Sequence, residues 1–129
     1  MHMPKQTPIT PRVFKTPWFA KMAKKANISD YDLCSAIRQV IQGKADDLGG
    51  GVFKKRLNDN MHRSIVLAKG RHYWVFEYLY AKKDRDNISE DELSSFRELA
   101  KNYAGLTDEQ IARLVQNQQF EEICNDDKT

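Results

Sequence analysis

Long apolar runs are missing from this chain of 129 residues, which argues against a helical membrane protein. No stretch approaches the ~20 consecutive apolar residues that a membrane-spanning helix needs. The N-terminus also lacks the charged-then-apolar pattern of a signal peptide. Met1 to Pro11 is short, polar and proline-rich, and we expect a flexible arm there. These absences predict a cytoplasmic protein without a membrane partner.

Cysteine and histidine are also scarce, which limits redox and metal chemistry. Cys34 and Cys124 lie far apart in the sequence, and in a reducing compartment we expect both to be free thiols. None of the three histidines stands at a metal-ligand spacing from either cysteine. The glycines at 49–51 lack the Gly-Lys-Ser/Thr ending of a phosphate-binding loop. We therefore expect no metal and no cofactor.

Charge is unevenly distributed along the chain. Residues 1–51 have a net charge of +4, residues 52–85 of +6 and residues 86–129 of −7. A basic middle and an acidic end predict a polyanion-binding core with a C-terminal element turned away from it. The alternative is that the charged faces are merely solvated. The length is that of one small domain, which we place at residues 12–124, before a frayed tail at 125–129.

Capping residues and apolar spacing predict four helices. Each begins at a Ser or Thr whose side-chain oxygen can accept a hydrogen bond from the first turn. The predicted N-caps are Thr16, Ser29, Ser89 and Thr107. On the first helix the apolar spacing directs three side chains towards the core: Trp18, Phe19 and Met22.

Alternating apolar residues predict four strands. They lie at about 12–16, 52–58, 63–69 and 72–81. Hairpin turns are expected at Asn58-Asp59-Asn60 and at Lys69-Gly70-Arg71, and a loop at Asp46 to Gly51. In the aromatic last strand, we expect Trp74 and Phe76 in the core.

The resulting order is β-α-α-β-β-β-α-α. Its simplest layered solution is an α+β fold. We expect a small, mostly antiparallel sheet with helices packed on one face and with the other face open and basic.

Basic residues are concentrated on the predicted sheet. Alternation places Lys54 and Arg56 on one face of their strand and Lys55 on the other. Arg63 begins the neighbouring strand and can approach the first pair. Three more cations follow the last strand: Lys82, Lys83 and Arg85. Cations kept together on a sheet are typical of a phosphate-binding surface.

Such a cluster can bind RNA or DNA, and it can also cleave RNA without a metal. Cleavage requires removal of the 2′-hydroxyl proton, stabilisation of the charge at phosphorus and protonation of the leaving oxygen. A lysine beside other cations has a lowered pKa and can act as a base, while arginine clamps the phosphate. Binding alone needs the same residues, so the pattern leaves both functions open. His62 could be an acid, a base or only a turn residue.

Three segments in register resemble a known family. Val13–Ala20, Asp47–Leu57 and Tyr80–Ile88 are similar to the RelE/ParE superfamily of type II toxin–antitoxin toxins, in its HigB-like, phage-associated branch. The resemblance extends from about Arg12 to Cys124. It implies a RelE-like, microbial RNase-like fold and an endoribonuclease that cleaves messenger RNA in the ribosomal A site. It also implies a cognate antitoxin as partner.

The same resemblance implies roles for individual residues. The implied catalytic residues are Lys54, Arg56, Arg63, Lys83 and Arg85. The implied RNA-binding residues are Lys55, His62 and Lys82. The chain also departs from its relatives: Met61-His62 replaces a usual Gly-Tyr, Leu79 replaces a common glycine, and Glu77 adds an acidic group to the last strand. Ser89 stands where some relatives have a tyrosine that stacks on an RNA base.

Two other functions stay open at this point. One is a ParE-like DNA gyrase poison without RNase activity, against which the presence of Lys54, Arg56 and Arg63 argues. The other is a non-catalytic module that binds nucleic acid or protein. Expression of the protein separates the three, since it would stop translation, stop replication or do neither.

Overall fold

The computed structural model describes residues 11–69 and 72–124. Of the arm predicted at 1–11, only Pro11 is therefore among the described residues. The tail predicted at 125–129 and Gly70-Arg71 of the second hairpin turn also lie outside them. The domain limits stay a prediction. The described helices are α1 (Pro17–Lys25), α2 (Asp30–Ile41), α3 (Glu90–Ala104) and α4 (Asp108–Gln116). The described strands are β1 (Arg12–Lys15), β2 (Asp46–Gly49), β3 (Val52–Leu57), β4 (His62–Lys69), β5 (Tyr73–Ala81) and β6 (Glu121–Ile123).

The described strands form one six-stranded sheet in the order β2-β3-β4-β5-β1-β6. From β2 to β5 the neighbours are antiparallel, β1 runs parallel to β5, and β6 is antiparallel to β1. The prediction of an α+β fold with a mostly antiparallel sheet is confirmed. Along β5, β1 pairs with Tyr73–Phe76 and stops there. The second half of β5 therefore has no described strand beside it on that edge. Side chains of α1 lie there instead.

Alternation along β3 sends neighbouring side chains to opposite faces of the sheet. Phe53 packs into a core built by α1 and α2, whereas Val52 packs into a core under α3. The first core also contains Trp74 and Phe76, both buried as predicted. Phe14 contributes to a third cluster with α4. The sheet is therefore covered on both sides, and the expectation that the helices pack on one face only is wrong.

The position of α3 overturns a second expectation. The acidic C-terminal part of the chain was expected to turn away from the basic sheet. Instead α3 packs on β3 and β4, and its Arg97 donates hydrogen bonds to the backbone oxygens of Leu48 and Gly49. Packing of the apolar side chains on α3 decides this position, because those side chains must be buried wherever their acidic neighbours fall.

Two short strands were missed because their residues have weak strand propensity. Asp46 to Gly51 was expected to be a loop, yet β2 pairs antiparallel with β3. β6 has three residues and pairs with β1. Both strands are held by hydrogen bonds to a neighbouring strand, and the residue pattern within a single segment cannot predict that pairing.

Cys34 and Cys124 form a disulfide, with Cα atoms 5.5 Å apart, so the expectation of free thiols is wrong. The two residues are 90 positions apart in the sequence. They meet because α2 packs on one face of the sheet while β6 adds to its edge at β1, and Leu33 and Ile123 lie in the same core.

The helix starts agree closely with the sequence. Capping boxes form at Ser29, Ser89 and Thr107, and Thr16 caps α1 ahead of a proline. Within the described part of the chain, no helix has the length and apolar character needed to cross a membrane. The orientation of Trp18 differs from prediction: its neighbour Phe19 is buried in the core, whereas Trp18 is 45% exposed.

Candidate functional site

The register of three strands aligns two arginines and a tyrosine across the sheet. Arg56 on β3 lies directly opposite Arg63 on β4, and Arg63 lies directly opposite Tyr80 on β5. Directly opposed residues share a face, which here is the face covered further along by α3. Lys54 lies two residues from Arg56 and therefore points the same way. We call Lys54, Arg56 and Arg63 the basic row.

Arg56 and Arg63 place like charges at directly opposed positions of the sheet. Like charges directly opposite one another on neighbouring strands destabilise a sheet. Among the described residues, neither arginine has a carboxylate within ion-pair distance. An anion bound between them would relieve the repulsion, so this geometry favours a phosphate ligand.

Arg63 is held in place by the turn between β3 and β4. Only 9% of its surface is exposed, and Nη1 donates hydrogen bonds to the backbone oxygens of Asn60 at 3.0 Å and His62 at 3.3 Å. Asn58, Asp59 and Asn60 all have positive φ values. Asn and Asp tolerate this left-handed backbone better than most residues. The turn therefore fixes the guanidinium before any ligand arrives.

Lys54 is held by Asn87 and Asp46 rather than by the turn that holds Arg63. Its Nζ donates a 3.0 Å hydrogen bond to Oδ1 of Asn87 and lies 3.8 Å from a carboxylate oxygen of Asp46. Asn87 belongs to the loop that follows β5, so Lys54 joins the sheet to that loop. The predicted pairing of Lys54 with Arg56 on one face is confirmed by the register.

Arg85 organises the loop after β5. Its Nη atoms donate two hydrogen bonds to Glu92, at 3.1 Å and 2.5 Å, and its Nε donates to the backbone oxygen of Asn87. The guanidinium carbon lies 5.5 Å from the centre of the Tyr80 ring. Hydrogen bonding to Arg85 lowers the pKa of Glu92 to about 2. Arg85 thus adjoins the site, but Glu92 already balances its charge.

The other predicted cations are spread around the basic row. Lys55 points to the opposite face, where its Nζ donates to the backbone oxygen of Lys44, and burial lowers its pKa. His62 also points to that face by alternation, with Nδ1 3.1 Å from Nδ2 of Asn58. Lys82 and Lys83 are exposed in the turn after β5. The structure therefore does not bring Lys55 or His62 into the row.

A cleft opens beside the unpaired half of β5. One cavity of about 430 Å³ lies between α1 and the end of β5. A neighbouring cavity of about 600 Å³ shares several of its lining residues. We call these two cavities the α1–β5 cleft. The residues that line both cavities are Lys25, Ala26, His62, Ala81 and Lys83.

Sequence reasoning missed two aromatic residues at this cleft, Tyr80 and Trp18. Tyr80 is 6% exposed, and its hydroxyl has no hydrogen-bond partner among the described residues. Burial raises the pKa of that hydroxyl, and the charges of Arg63 and Arg85 oppose the rise. The alternation of the last strand, combined with the pairing of β4 and β5, was the available signal. It places Tyr80 on the same face as Arg63.

The site is better equipped to bind a phosphate than to move protons. Asp46 and Glu92, the described carboxylates beside the basic row and Arg85, both pair with cations: Asp46 with Lys54, and Glu92 with Arg85. Arginines that stay charged can hold a phosphate through a planar pair of donors. Lys54 is the group in the row that could act as a base. Among the described residues there is no group of three or more His, Cys, Asp or Glu side chains that could hold a metal ion.

Comparison with known families gives a match over most of the chain. The model of the family described as "RelE toxin of RelE / RelB toxin-antitoxin system" matches residues 11–123. No curated protein and no solved structure shows significant similarity to the chain. The HigB-like, phage-associated branch stays a prediction. Since the match covers most of the sequence and all of the sheet described above, the chain belongs to the RelE toxin family of toxin–antitoxin systems.

Proposed function

We propose that this toxin is a ribosome-dependent endoribonuclease that stops translation by cutting messenger RNA in the A site. The observation that carries the proposal is the alignment of Arg56, Arg63 and Tyr80 across three strands, with Lys54 beside it. Membership of the RelE toxin family supports the same class of activity. A cognate antitoxin that blocks the toxin and a cytoplasmic location are parts of the proposal.

The proposed reaction uses the RNA's own 2′-hydroxyl as nucleophile. Its oxygen forms a bond to the adjacent phosphorus while the bond from phosphorus to the 5′ oxygen breaks. The 2′-hydroxyl loses its proton and the departing 5′ oxygen gains one, which leaves a 2′,3′-cyclic phosphate and a 5′-hydroxyl end. Arg56 and Arg63 hold the phosphate oxygens and stabilise the charge that develops on them. This chemistry needs no metal.

The scarcity of free acid–base groups explains why a ribosome would be required. Correct orientation of reacting groups is worth many orders of magnitude in rate. The basic row can bind the phosphate, but the neighbouring carboxylates of Asp46 and Glu92 are paired with cations, and His62 points to the other face of the sheet. A ribosome that holds the A-site codon in line for attack would supply the orientation. We therefore expect negligible cleavage of free RNA.

Purified protein incubated with messenger RNA, with and without programmed ribosomes, tests the proposal. We expect cuts within codons only when ribosomes are present, and activity that persists in EDTA at a concentration that leaves ribosomes intact. Arg56→Ala and Arg63→Ala should each lower the cleavage rate by about 10²-fold or more, as the loss of a charge-stabilising donor usually does. Lys101→Ala is the matched control, because Lys101 is an exposed cation on α3.

Several outcomes would sink the proposal. Equal cutting of free and translated RNA would remove the role of the ribosome. If both arginine variants stay fully toxic and circular dichroism shows that they are folded, the basic row has no role in toxicity. Growth arrest with intact messenger RNA and broken chromosomal DNA would point to a gyrase poison.

A further inference from the structure

Trp18 is an exposed aromatic residue on a fixed support. Its indole ring stacks on the ring of Tyr78, with centroids 5.2 Å apart and planes 13° from parallel. Tyr78 is itself anchored, since its ring packs against Phe96 and its hydroxyl accepts a 3.3 Å hydrogen bond from Arg85. The neighbouring Phe19 is the residue of this turn that is buried in the core, so core packing does not explain a tryptophan at position 18. The pair forms a rigid, flat platform at the α1–β5 cleft.

The cleft around the platform carries groups suited to an anionic ligand. Lys25 and Lys83 line both of its cavities and make no ion pair with a described residue. Three acidic side chains also line the cleft: Asp84 in the first cavity, and Asp59 and Asp86 in the second. Tyr80 lines the first of these cavities, and its buried hydroxyl has no hydrogen-bond partner among the described residues. Buried polar groups are normally hydrogen-bonded, so a ligand atom that reached this hydroxyl would gain a hydrogen-bond donor.

The platform is continuous with the basic row. Tyr78 and Tyr80 have ring centroids 5.9 Å apart, and Tyr80 lies opposite Arg63. A chain of contacts therefore leads from the proposed phosphate site through two tyrosines to Trp18. Single-stranded nucleic acids are bound in this manner, with cations along the backbone and aromatic rings under the bases.

We propose that the α1–β5 cleft is a subsite for one base of single-stranded RNA, which stacks on Trp18 while Lys25 and Lys83 hold the neighbouring phosphates. The inference rests on the proposed function, because it takes the RNA bound at the basic row as its ligand. An acidic peptide could also meet these cations. The nearly parallel Trp18–Tyr78 pair favours a base, since a third flat ring can continue that stack.

The two tryptophans of the chain allow a direct test by fluorescence. Trp18 is 45% exposed and Trp74 is 7% exposed, so a ligand at the cleft should quench mainly Trp18. The probe is a 2′-O-methylated oligonucleotide of six mixed-sequence residues, which the proposed reaction cannot cleave. We expect saturable quenching in the full-length protein and in Trp74→Phe, and none in Trp18→Phe.

Binding measured by anisotropy of the labelled oligonucleotide completes the test. Trp18→Leu should weaken binding by about 10-fold or more, which is the usual scale of one lost stacking contact. Trp18→Phe should retain most of the affinity, and Lys83→Ala should flatten the salt dependence. Tyr31→Ala is the control, because Tyr31 is 77% exposed on α2 and does not line the cleft. Thermal melts confirm that each variant is folded.

The outcomes separate this inference from the proposed function. Wild-type affinity in Trp18→Leu, or no quenching of Trp18, would overturn the subsite even if ribosome-dependent cleavage is found. Quenching by a polyglutamate peptide and not by the oligonucleotide would also overturn it. Quenching that depends on Trp18, without cleavage on ribosomes, would support the subsite and contradict the proposed function.

Discussion

At the scale of single residues, the function proposed for Arg56 and Arg63 opposes the stability of the fold. Two cations placed opposite each other make the folded sheet less stable than a neutral pair would. Arg63 also has a structural task, since it holds the turn through two backbone oxygens. Arg56 is exposed and makes no described hydrogen bond through its side chain. The two arginines should therefore respond differently to the same substitution.

We expect Arg56→Gln to raise the free energy of unfolding by about 0.2–1 kcal/mol at low salt, while abolishing toxicity. The gain comes from removing the repulsion, so added salt should shrink it. Arg63→Gln should instead lower that free energy by about 1 kcal/mol or more, because its hydrogen bonds to the turn are lost. Urea unfolding at two salt concentrations measures both. A destabilised Arg56→Gln variant would show that the repulsion is not significant.

Much of the basic row was predictable, whereas its surroundings were not. Alternation along one strand suffices to pair Lys54 with Arg56. The bonds of Arg85 to Glu92 depend on the path of an irregular loop, which no periodicity reports. Trp18 was assigned to the core with Phe19, yet adjacent residues on a helix point about 100° apart and cannot both face inward fully. The missed residues are thus those whose role depends on a neighbouring element.

At the scale of elements, the helices were easier to predict than the sheet edges. Caps are local, so each capping box could be recognised within four residues. The pairing of β2 and β6 depends on strands distant in the sequence, and neither segment is rich in strand-forming residues. A further detail set by pairing is the bulge in β5, where Glu77 is the extra residue between two register positions.

The bulge at Glu77 ties β5 to α3. Oε1 of Glu77 accepts a 2.9 Å hydrogen bond from the hydroxyl of Tyr103, and burial raises the pKa of Glu77. A carboxyl group whose pKa is raised by folding destabilises the folded state once it ionises. The stability of the protein should therefore fall as pH rises from the ordinary pKa of a glutamate through the raised pKa of Glu77.

We expect Glu77→Gln to be more stable than the wild type at pH 7, by a few degrees in melting temperature. The amide oxygen can still accept the bond from Tyr103, and it carries no charge to bury. The advantage should vanish below about pH 4, where both side chains are neutral. Melts between pH 3.5 and 8 test this, with Glu98→Gln on the exposed side of α3 as control. A constant difference at all pH values would rule out ionisation as the cause.

At the scale of the whole molecule, the charge pattern predicted a basic sheet with an acidic C-terminal element turned away from it. The position of the acidic element is the part of this prediction that was wrong. The positive middle does form strands β3 to β5. The acidic C-terminal helices then pack on the face that also carries the basic row, and Glu92 becomes part of the site's support. Charge alone could not reveal this, because net charge governs association and solubility more than fold.

The disulfide is a whole-molecule feature with a measurable contribution to stability. It joins α2 to the residue after β6 and closes a loop of 90 residues. A long closed loop restricts the unfolded chain, and native disulfides typically stabilise by about 2–4 kcal/mol. The bond lies near the β1–β6 edge of the sheet, whereas the basic row lies on β3 and β4. Stability and activity should therefore separate.

We expect dithiothreitol to lower the free energy of unfolding by about 2–4 kcal/mol without reducing RNA cleavage at temperatures where the protein stays folded. Cys34→Ser should show the same loss without the reductant and no further response to it. Thiol titration under denaturing conditions should detect two thiols only after reduction, because Cys34 and Cys124 are paired. If the untreated chain already shows two thiols, or if reduction leaves the melting temperature unchanged, the bond has no part in holding β6 against the sheet.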